Sequence, residues 1–328
     1  MSNYMNQPHV EQNQQTVIAC LDGSSHSQAV CDYAIWVSKQ LDAPLDLLHT
    51  IEHQHTPPVR DLSGAIGLGA SEDLLHELLK IEESRSRLRV KKGNLMLKAA
   101  QEKAQQESIN KIKICLEHST LNESLIEKEQ QTRILVMGLK GETHENLENE
   151  DIDKVSKKIL GVRLESVVRA LHKPILVVND SFRKPQNIML AYNGSDESKK
   201  ALNMIASSPL FLDMNCHVVH VTGNEQSAES DQFLNEAKET LSHSNLKLHY
   251  AHITSSDTKN GGTKNSNTEN GDTKNSNAED ALINYQSQNA IDLMLMGAFS
   301  HNRVRNFLLG SFTASMLKKT KTPLLLLR

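Results

Sequence analysis

Aromatic side chains make up only 4 % of this chain: one tryptophan, five tyrosines and six phenylalanines in 328 residues. With apolar residues at 38 %, this excludes a chain that is core throughout and implies polar segments that dilute ordinary folded regions. Long apolar runs are missing too. No stretch of 18 or more apolar residues occurs, and the polar start MSNYMNQPHVEQNQQ lacks the charged and apolar regions of a secretory signal. A cytoplasmic protein with no membrane partner is therefore expected. Cysteine is scarce: Cys20, Cys31, Cys115 and Cys216 are widely spread, show no CxxC pairing and read as small buried hydrophobes that stay reduced. A strong charge of either sign is also absent. The formal net charge of −4 gives no global reason to expect nucleic acid as a partner, so any basic site must be local.

What is present is a repeat. TVIACLDGS (16–24) and NIMLAYNGS (187–195) are short apolar runs that end alike in turn residues, and each is followed by a helical segment and a second apolar run carrying a histidine, APLDLLHTI and NCHVVHVTG. Further on, RILVMGLKG parallels DLMLMGAFS, and Pro174 follows Gly161 at a spacing of 13 positions just as Pro323 follows Gly310. Register held over four landmarks argues for a tandem duplication. The reading is a flexible tail over 1–15, a first half over 16–180, a linker at 181–186 and a second half over 187–328.

Within each half, apolar strands alternate with helical stretches, which predicts βαβ units and a parallel sheet with helices on both faces. The fold class is α/β: two tandem doubly wound five-stranded sheets with right-handed crossovers. Strands are predicted near 16–21, 45–51, 111–116, 133–138 and 174–178, then 187–192, 215–221, 247–253, 292–297 and 323–327. Three stretches interrupt the pattern. Residues 255–278 contain the near-repeats GGTKNSNTEN and GDTKNSNAED, have no apolar anchors and are expected to form a disordered loop. Residues 142–158 carry six acidic residues before their lysines and read as a solvated insertion, without the ligand pattern of a calcium loop. The glycines of 63–93 do not follow a strand, so the dinucleotide fingerprint fails, and a mobile loop leading into a long amphipathic helix, with Leu74, Leu75, Leu78 and Leu79 inward, is predicted instead.

In a doubly wound sheet, the loops after the first and fourth strands meet where the strand order reverses, and ligands bind there. In the second half these loops are YNGSDES and GAFSHNRVRNFLLGSFT. Gly297 and Gly310 let backbone N–H groups approach phosphate oxygens, Ser311 puts a hydroxyl at a helix start that attracts anions, and His301, Arg303 and Arg305 add positive charge. The bare alternative is a structural turn with surface arginines.

These residues resemble the universal stress protein family, UspA-like, in a tandem form with two such domains per chain. The family's nucleotide-binding pattern of glycine, two residues, glycine, nine residues, then glycine and serine or threonine falls on Gly297, Ser300, Gly310 and Ser311, with serine in the place of the second glycine. Phe312 and Thr313 continue the helix start. The resemblance implies a Rossmann-like, adenine nucleotide alpha hydrolase-like fold, an acidic residue at the end of strand one toward the nucleoside, and an adenine contact after strand two. Those positions are Asn193 and Val221, with Ala191 close by. Asparagine brings no carboxylate for a metal ion, so magnesium is left open. The first half keeps Asp22, Gly138 and Gly141, with Thr50 after strand two, but 19 residues separate Gly141 from Gly161, Val162 takes the serine position and the acidic insertion lies where phosphates would rest. This degenerate site is expected not to bind a triphosphate in the usual way.

The cluster His49, Glu52, His53 and His55 invites a zinc reading, but His49 matches His220 at the end of the equivalent strand, which fits a structural role. His118 and His172 are isolated. Ser24 and Ser195 each follow a glycine after a strand, yet without the second glycine of a nucleophile elbow. The expectation from the resemblance is a stress-response regulator and not an enzyme, binding ATP or AMP mainly in the second half. Its last strand would pair the two halves as an internal pseudo-dimer, with a homodimer as a further form. A slow ATPase and a nucleotide-free interaction protein, acting through helix 71–108 or Pro323–Leu327, are the alternatives.

Overall fold

The computed structural model describes residues 14–52, 68–139, 164–179, 181–222, 228–254, 276–298 and 310–328. The ten strands are β1 Thr16–Cys20, β2 Leu45–Thr50, β3 Ile112–Glu117, β4 Thr132–Gly138, β5 Ile175–Val178, β6 Asn187–Ala191, β7 Asn215–Thr222, β8 Lys247–Thr254, β9 Leu293–Gly297 and β10 Leu324–Leu327. Every strand expected from the sequence is present. In the first half the order is β3-β2-β1-β4-β5, and in the second β8-β7-β6-β9-β10, with all neighbours inside each half parallel. In both, the order reverses between the first and fourth strands, as doubly wound topology requires.

The two five-stranded units join into one ten-stranded sheet. Its seam is the antiparallel pairing of β5 with β10, in which Leu324, Leu325 and Leu326 face Val177, Leu176 and Ile175. Both strands are apolar and buried over all four residues, so each covers the other's edge. Reversal at the seam turns the carboxyl ends of the two halves toward opposite edges of the sheet. Each face carries one apolar layer that crosses the seam: Val136, Leu176, Leu325 and Leu295 lie in one, and Leu135, Ile175, Leu326 and Met294 in the other. Residues 181–186 leave the seam without regular structure. Phe182 meets Tyr33 edge to face at 4.8 Å, and the Tyr33 hydroxyl donates to the carbonyl of Arg183 at 3.2 Å.

The helix that opens each βαβ unit is Ser27–Leu41 in the first half and Asp196–Ser207 in the second. The helix Leu68–Gln106 runs for 39 residues. Its later part docks on β2 and β3 through Leu97, Ala100 and Ala104, whereas nearly every described side chain from His76 to Lys92 is exposed. Leu78 and Leu79, expected inward, are 38 % and 60 % exposed. The expectation rests on an apolar stripe having a body to cover it, and this part of the helix runs past the sheet. The side chains of Leu74 and Leu75 lie outside the described set. The loop expected over 255–278 also ends sooner, because helix Ser276–Gln288 already includes Ala278; the rest of that loop, the tail 1–13 and the acidic insertion 142–158 lie outside the described residues. Among the described residues, no helix is long and apolar enough to cross a membrane.

Candidate functional site

In the second half the order reversal leaves a cleft of about 230 Å³ at the carboxyl ends of β6, β7 and β9. On one side, β6 ends at Ala191 and the chain turns through Tyr192, Asn193, Gly194 and Ser195. Gly194 sits at φ +72°, and a Cβ there would lie 2.3 Å from the Phe233 ring, so glycine serves both the left-handed turn and the close packing. The Asn193 side-chain oxygen accepts from the Ser195 N–H at 3.2 Å. Ser195 in turn caps helix Asp196–Ser207, its hydroxyl accepting from the Ser198 N–H at 3.2 Å. Ser195 is thus a turn and cap residue.

On the other side, β9 ends at Met296 and Gly297, and helix Ser311–Lys319 begins after Gly310. The Gly310 N–H donates to the Ala298 carbonyl at 3.3 Å, and the Thr313 hydroxyl donates to the Gly297 carbonyl at 3.1 Å, which pin the helix start to the strand end. Gly310 has no side chain with which to cap the helix. No side-chain cap from Gly310 takes up the first-turn amides, and the positive end of the helix dipole lies at the cleft.

A third wall comes from Ala278 and Leu282 of helix Ser276–Gln288. Glu279, one residue on, is buried and locks that helix to Ser311–Lys319: its carboxylate accepts from the Ser315 hydroxyl at 2.6 Å and from the Lys319 ammonium at 3.2 Å. Lys319 also reaches Asp280 at 2.9 Å, and this bond, with help from Glu279, holds its ammonium above the usual lysine range despite partial desolvation.

Of the residues singled out from sequence, Ala191, Asn193, Val221, Gly297, Phe312 and Thr313 line this one cleft, and Gly310 and Ser311 stand just before Phe312 at the helix start. Ser300, His301 and Arg303 lie outside the described residues. Sequence reasoning missed Tyr192, Ser195, Val219, Ala278, Leu282 and Met296 as lining residues. Val219 was within reach, two positions from Val221 on the same face of a strand. Ala278 and Leu282 were not, since they follow a low-complexity stretch with no register to align.

The first half places Asp22 at the same turn. Its Oδ1 accepts from the Ser24 N–H at 3.0 Å, the Ser24 hydroxyl at 2.7 Å and the Ser27 hydroxyl at 3.1 Å, so the carboxylate is engaged by its own loop. Thr50 and Gly138 end β2 and β4, while Gly141, Gly161 and Val162 lie outside the described residues. His49 Nδ1 lies 2.6 Å from the Leu21 carbonyl; only the donating tautomer suits a carbonyl, so Nδ1 carries the proton. His220 makes the same bond to the Tyr192 carbonyl at 2.7 Å. The pair has one structural task in both halves, tying strand two to the turn after strand one. His53 and His55 lie outside the described residues, and those described contain no group of three or more His, Cys, Asp or Glu placed to hold a metal ion. None of the four cysteines is in a disulfide, and burial pushes Cys31 and Cys216 up to about 11 and about 12.

Comparison with known proteins agrees with the duplication. The model of the universal stress protein family matches residues 14–179 and again 184–328. The chain is 30 % identical over 314 residues to the universal stress protein Slr1230 of Synechocystis sp., a match that covers 95 % of this chain and 99 % of that one. Among solved structures, a universal stress protein from Archaeoglobus fulgidus superposes with a TM-score of 0.56 at 16 % identity, covering 97 % of both chains. A functionally unknown protein, PA1789 from Pseudomonas aeruginosa, reaches 0.55 at 12 % identity over 96 % of this chain and 92 % of that one. At such identities the two structures attest the fold.

Proposed function

Because the chain belongs to the universal stress protein family and carries two of its domains in tandem, we propose that it is a stress-response regulator whose second half binds an adenine nucleotide, ATP or AMP, in the cleft between β6 and β9. One observation carries the reading: apolar walls and an uncapped helix start bound the same cleft. Val219, Val221, Leu282, Met296 and Phe312 offer the surface a flat base needs. The amides of the first turn and the Ser311 hydroxyl offer donors to a phosphate. The cleft is small for a whole nucleotide and suits the nucleoside part, with phosphate oxygens lying outward toward the helix start at Gly310 and Ser311.

Function would then come from binding and not from turnover. Helices Ser276–Gln288 and Ser311–Lys319 both line the cleft and are joined through Glu279, so a ligand that favours one arrangement of the pair shifts the surface they present. Asn193 supplies no carboxylate, and its oxygen is already engaged by Ser195, so a magnesium ion would have to be held by the nucleotide's own phosphates. In the first half, the engaged Asp22 and the acidic stretch 142–158 make binding of a triphosphate unfavourable, leaving that half as the pairing scaffold.

Calorimetric titration of the full chain with ATP and with AMP tests the reading. Binding of at least one is expected, weakened about tenfold or more by Gly310→Asp, which sets a carboxylate against the phosphates at a position where aspartate still caps the helix well. Absence of heat with both nucleotides would overturn it.

A further inference from the structure

The exposed part of helix Leu68–Gln106 is unlike an ordinary solvated helix. Ile81, Leu88 and Leu95 recur every seven residues, which keeps them on one stripe, and they are 42 %, 65 % and 61 % exposed. Leu78, one turn before Ile81, extends the stripe. The face that docks on the first half is a different one, occupied by Leu97, Ala100 and Ala104. An apolar row of this kind, held away from the body, loses free energy in water until something covers it.

The charges say what covers it. Ahead of the midpoint at Ser84 the exposed helix carries Glu77, Glu82 and Glu83 against Lys80 alone; beyond it come Arg85, Arg87, Arg89, Lys91 and Lys92. Such a helix is electrically complementary to itself when reversed and repels itself when parallel. Reversal about a two-fold axis between Ser84 and Arg85 also sets Ile81 of one copy against Leu88 of the other, and the Glu77–Glu83 stretch beside the second copy's Arg87–Lys92 stretch. Arg85, nearest the axis, has its charge met within its own helix by Glu82 at 3.1 Å, which limits repulsion between the two copies. Glu83 and Arg87 pair at 2.7 Å in the same way, so the helix is supported before it meets a partner. We infer that the exposed segment of helix Leu68–Gln106 is a self-association arm, by which two copies of this chain pair antiparallel through Leu78, Ile81, Leu88 and Leu95. The contact is isologous and closes at two copies, as a two-fold interface does. With fewer than three heptads it is a reversible, concentration-dependent contact.

Sedimentation velocity of the full chain over a dilution series reads the arm directly. The expected result is a monomer–dimer equilibrium that weakens as salt rises, with association reduced about tenfold or more by Leu88→Glu, a change at an exposed position that leaves circular dichroism unaltered. Orientation is read by a short bis-maleimide. The variant Ser84→Cys, altered close to the axis, is expected to cross-link copy to copy, while Lys98→Cys, whose two copies stand about 40 Å apart in the antiparallel arrangement, gives no more than the unsubstituted chain. A chain that stays monomeric at its highest soluble concentration overturns the inference, since the stripe then has another occupant. A dimer indifferent to Leu88→Glu, or cross-linking as efficient in the Lys98→Cys variant as in Ser84→Cys, overturns it too.

Discussion

Over the first two strands, residues related by the duplication lie 171 positions apart, as His49 and His220 do, and the pairs show where one plan has been kept and where it has been rewritten. His49 and His220 make the same carbonyl bond. The position three before each has diverged. In the first half Asp46 lies across from Lys113 on β3, an acid opposite a base; in the second, His217 lies across from His249 on β8, and the two rings stack at 4.5 Å. The His217 Nδ1 and the Tyr285 hydroxyl share a hydrogen bond of 2.9 Å from the covering helix. Burial, and then the neighbouring His249, hold the His217 imidazole below the usual histidine range. A folded value below the unfolded one means that the unfolded chain takes up more protons on acidification, so this contribution to stability is complete above the unfolded value near 6.5 and is lost as pH falls below it. Thermal melts are expected to show the midpoint dropping as pH is lowered from neutrality through that range. The drop should be shallower in His217→Gln, which keeps a polar partner for Tyr285; an unchanged slope would assign the pH dependence elsewhere. Of the cleft residues, Gly297 was legible from the loop after an apolar strand, whereas Ala191, Asn193 and Val221 came from the family resemblance, at or beside strand ends that the sequence had already placed.

Strands were the most legible elements. A parallel strand buried on both faces reads as a continuous apolar run, and LLLL in β10 or ILVV in β5 leaves little choice. Helices were less so. An apolar stripe records that a face avoids water but not which surface meets it, which is why the pattern alone points Leu78 and Leu79 inward. Nor does the stretch before Ala278, repetitive and polar, announce that a cleft-lining helix follows. That helix depends on one buried acid. Glu279→Ala strips Ser315 and Lys319 of their shared acceptor and should cost about 1–3 kcal/mol in denaturant unfolding. It should also weaken nucleotide binding, if the cleft is the site, because two of its walls lose their clamp; Glu279→Gln, which keeps an acceptor but no charge, should fall between the two.

At the scale of the whole molecule the seam decides behaviour. Ile175 and Leu326 are paired across 151 residues of chain, a contact that no local pattern discloses, although the expectation that the last strand joins the halves anticipated its place. Both apolar layers run through the seam, so the halves should unfold in a single calorimetric transition. Leu325→Asp, at a buried seam position, should cost at least the roughly 2–5 kcal/mol of a large-to-small core change and split the transition into two. The C-terminal residue strengthens the junction, since the Arg328 guanidinium donates to the carbonyls of Val168 and Arg169 at the end of the helix at 164–170. Because one backbone runs through both partners, their meeting is intramolecular and its occupancy is insensitive to dilution. At the seam the first half therefore always meets the second half of its own chain, so its turn and insertion can change without an equally altered copy of itself standing opposite β5.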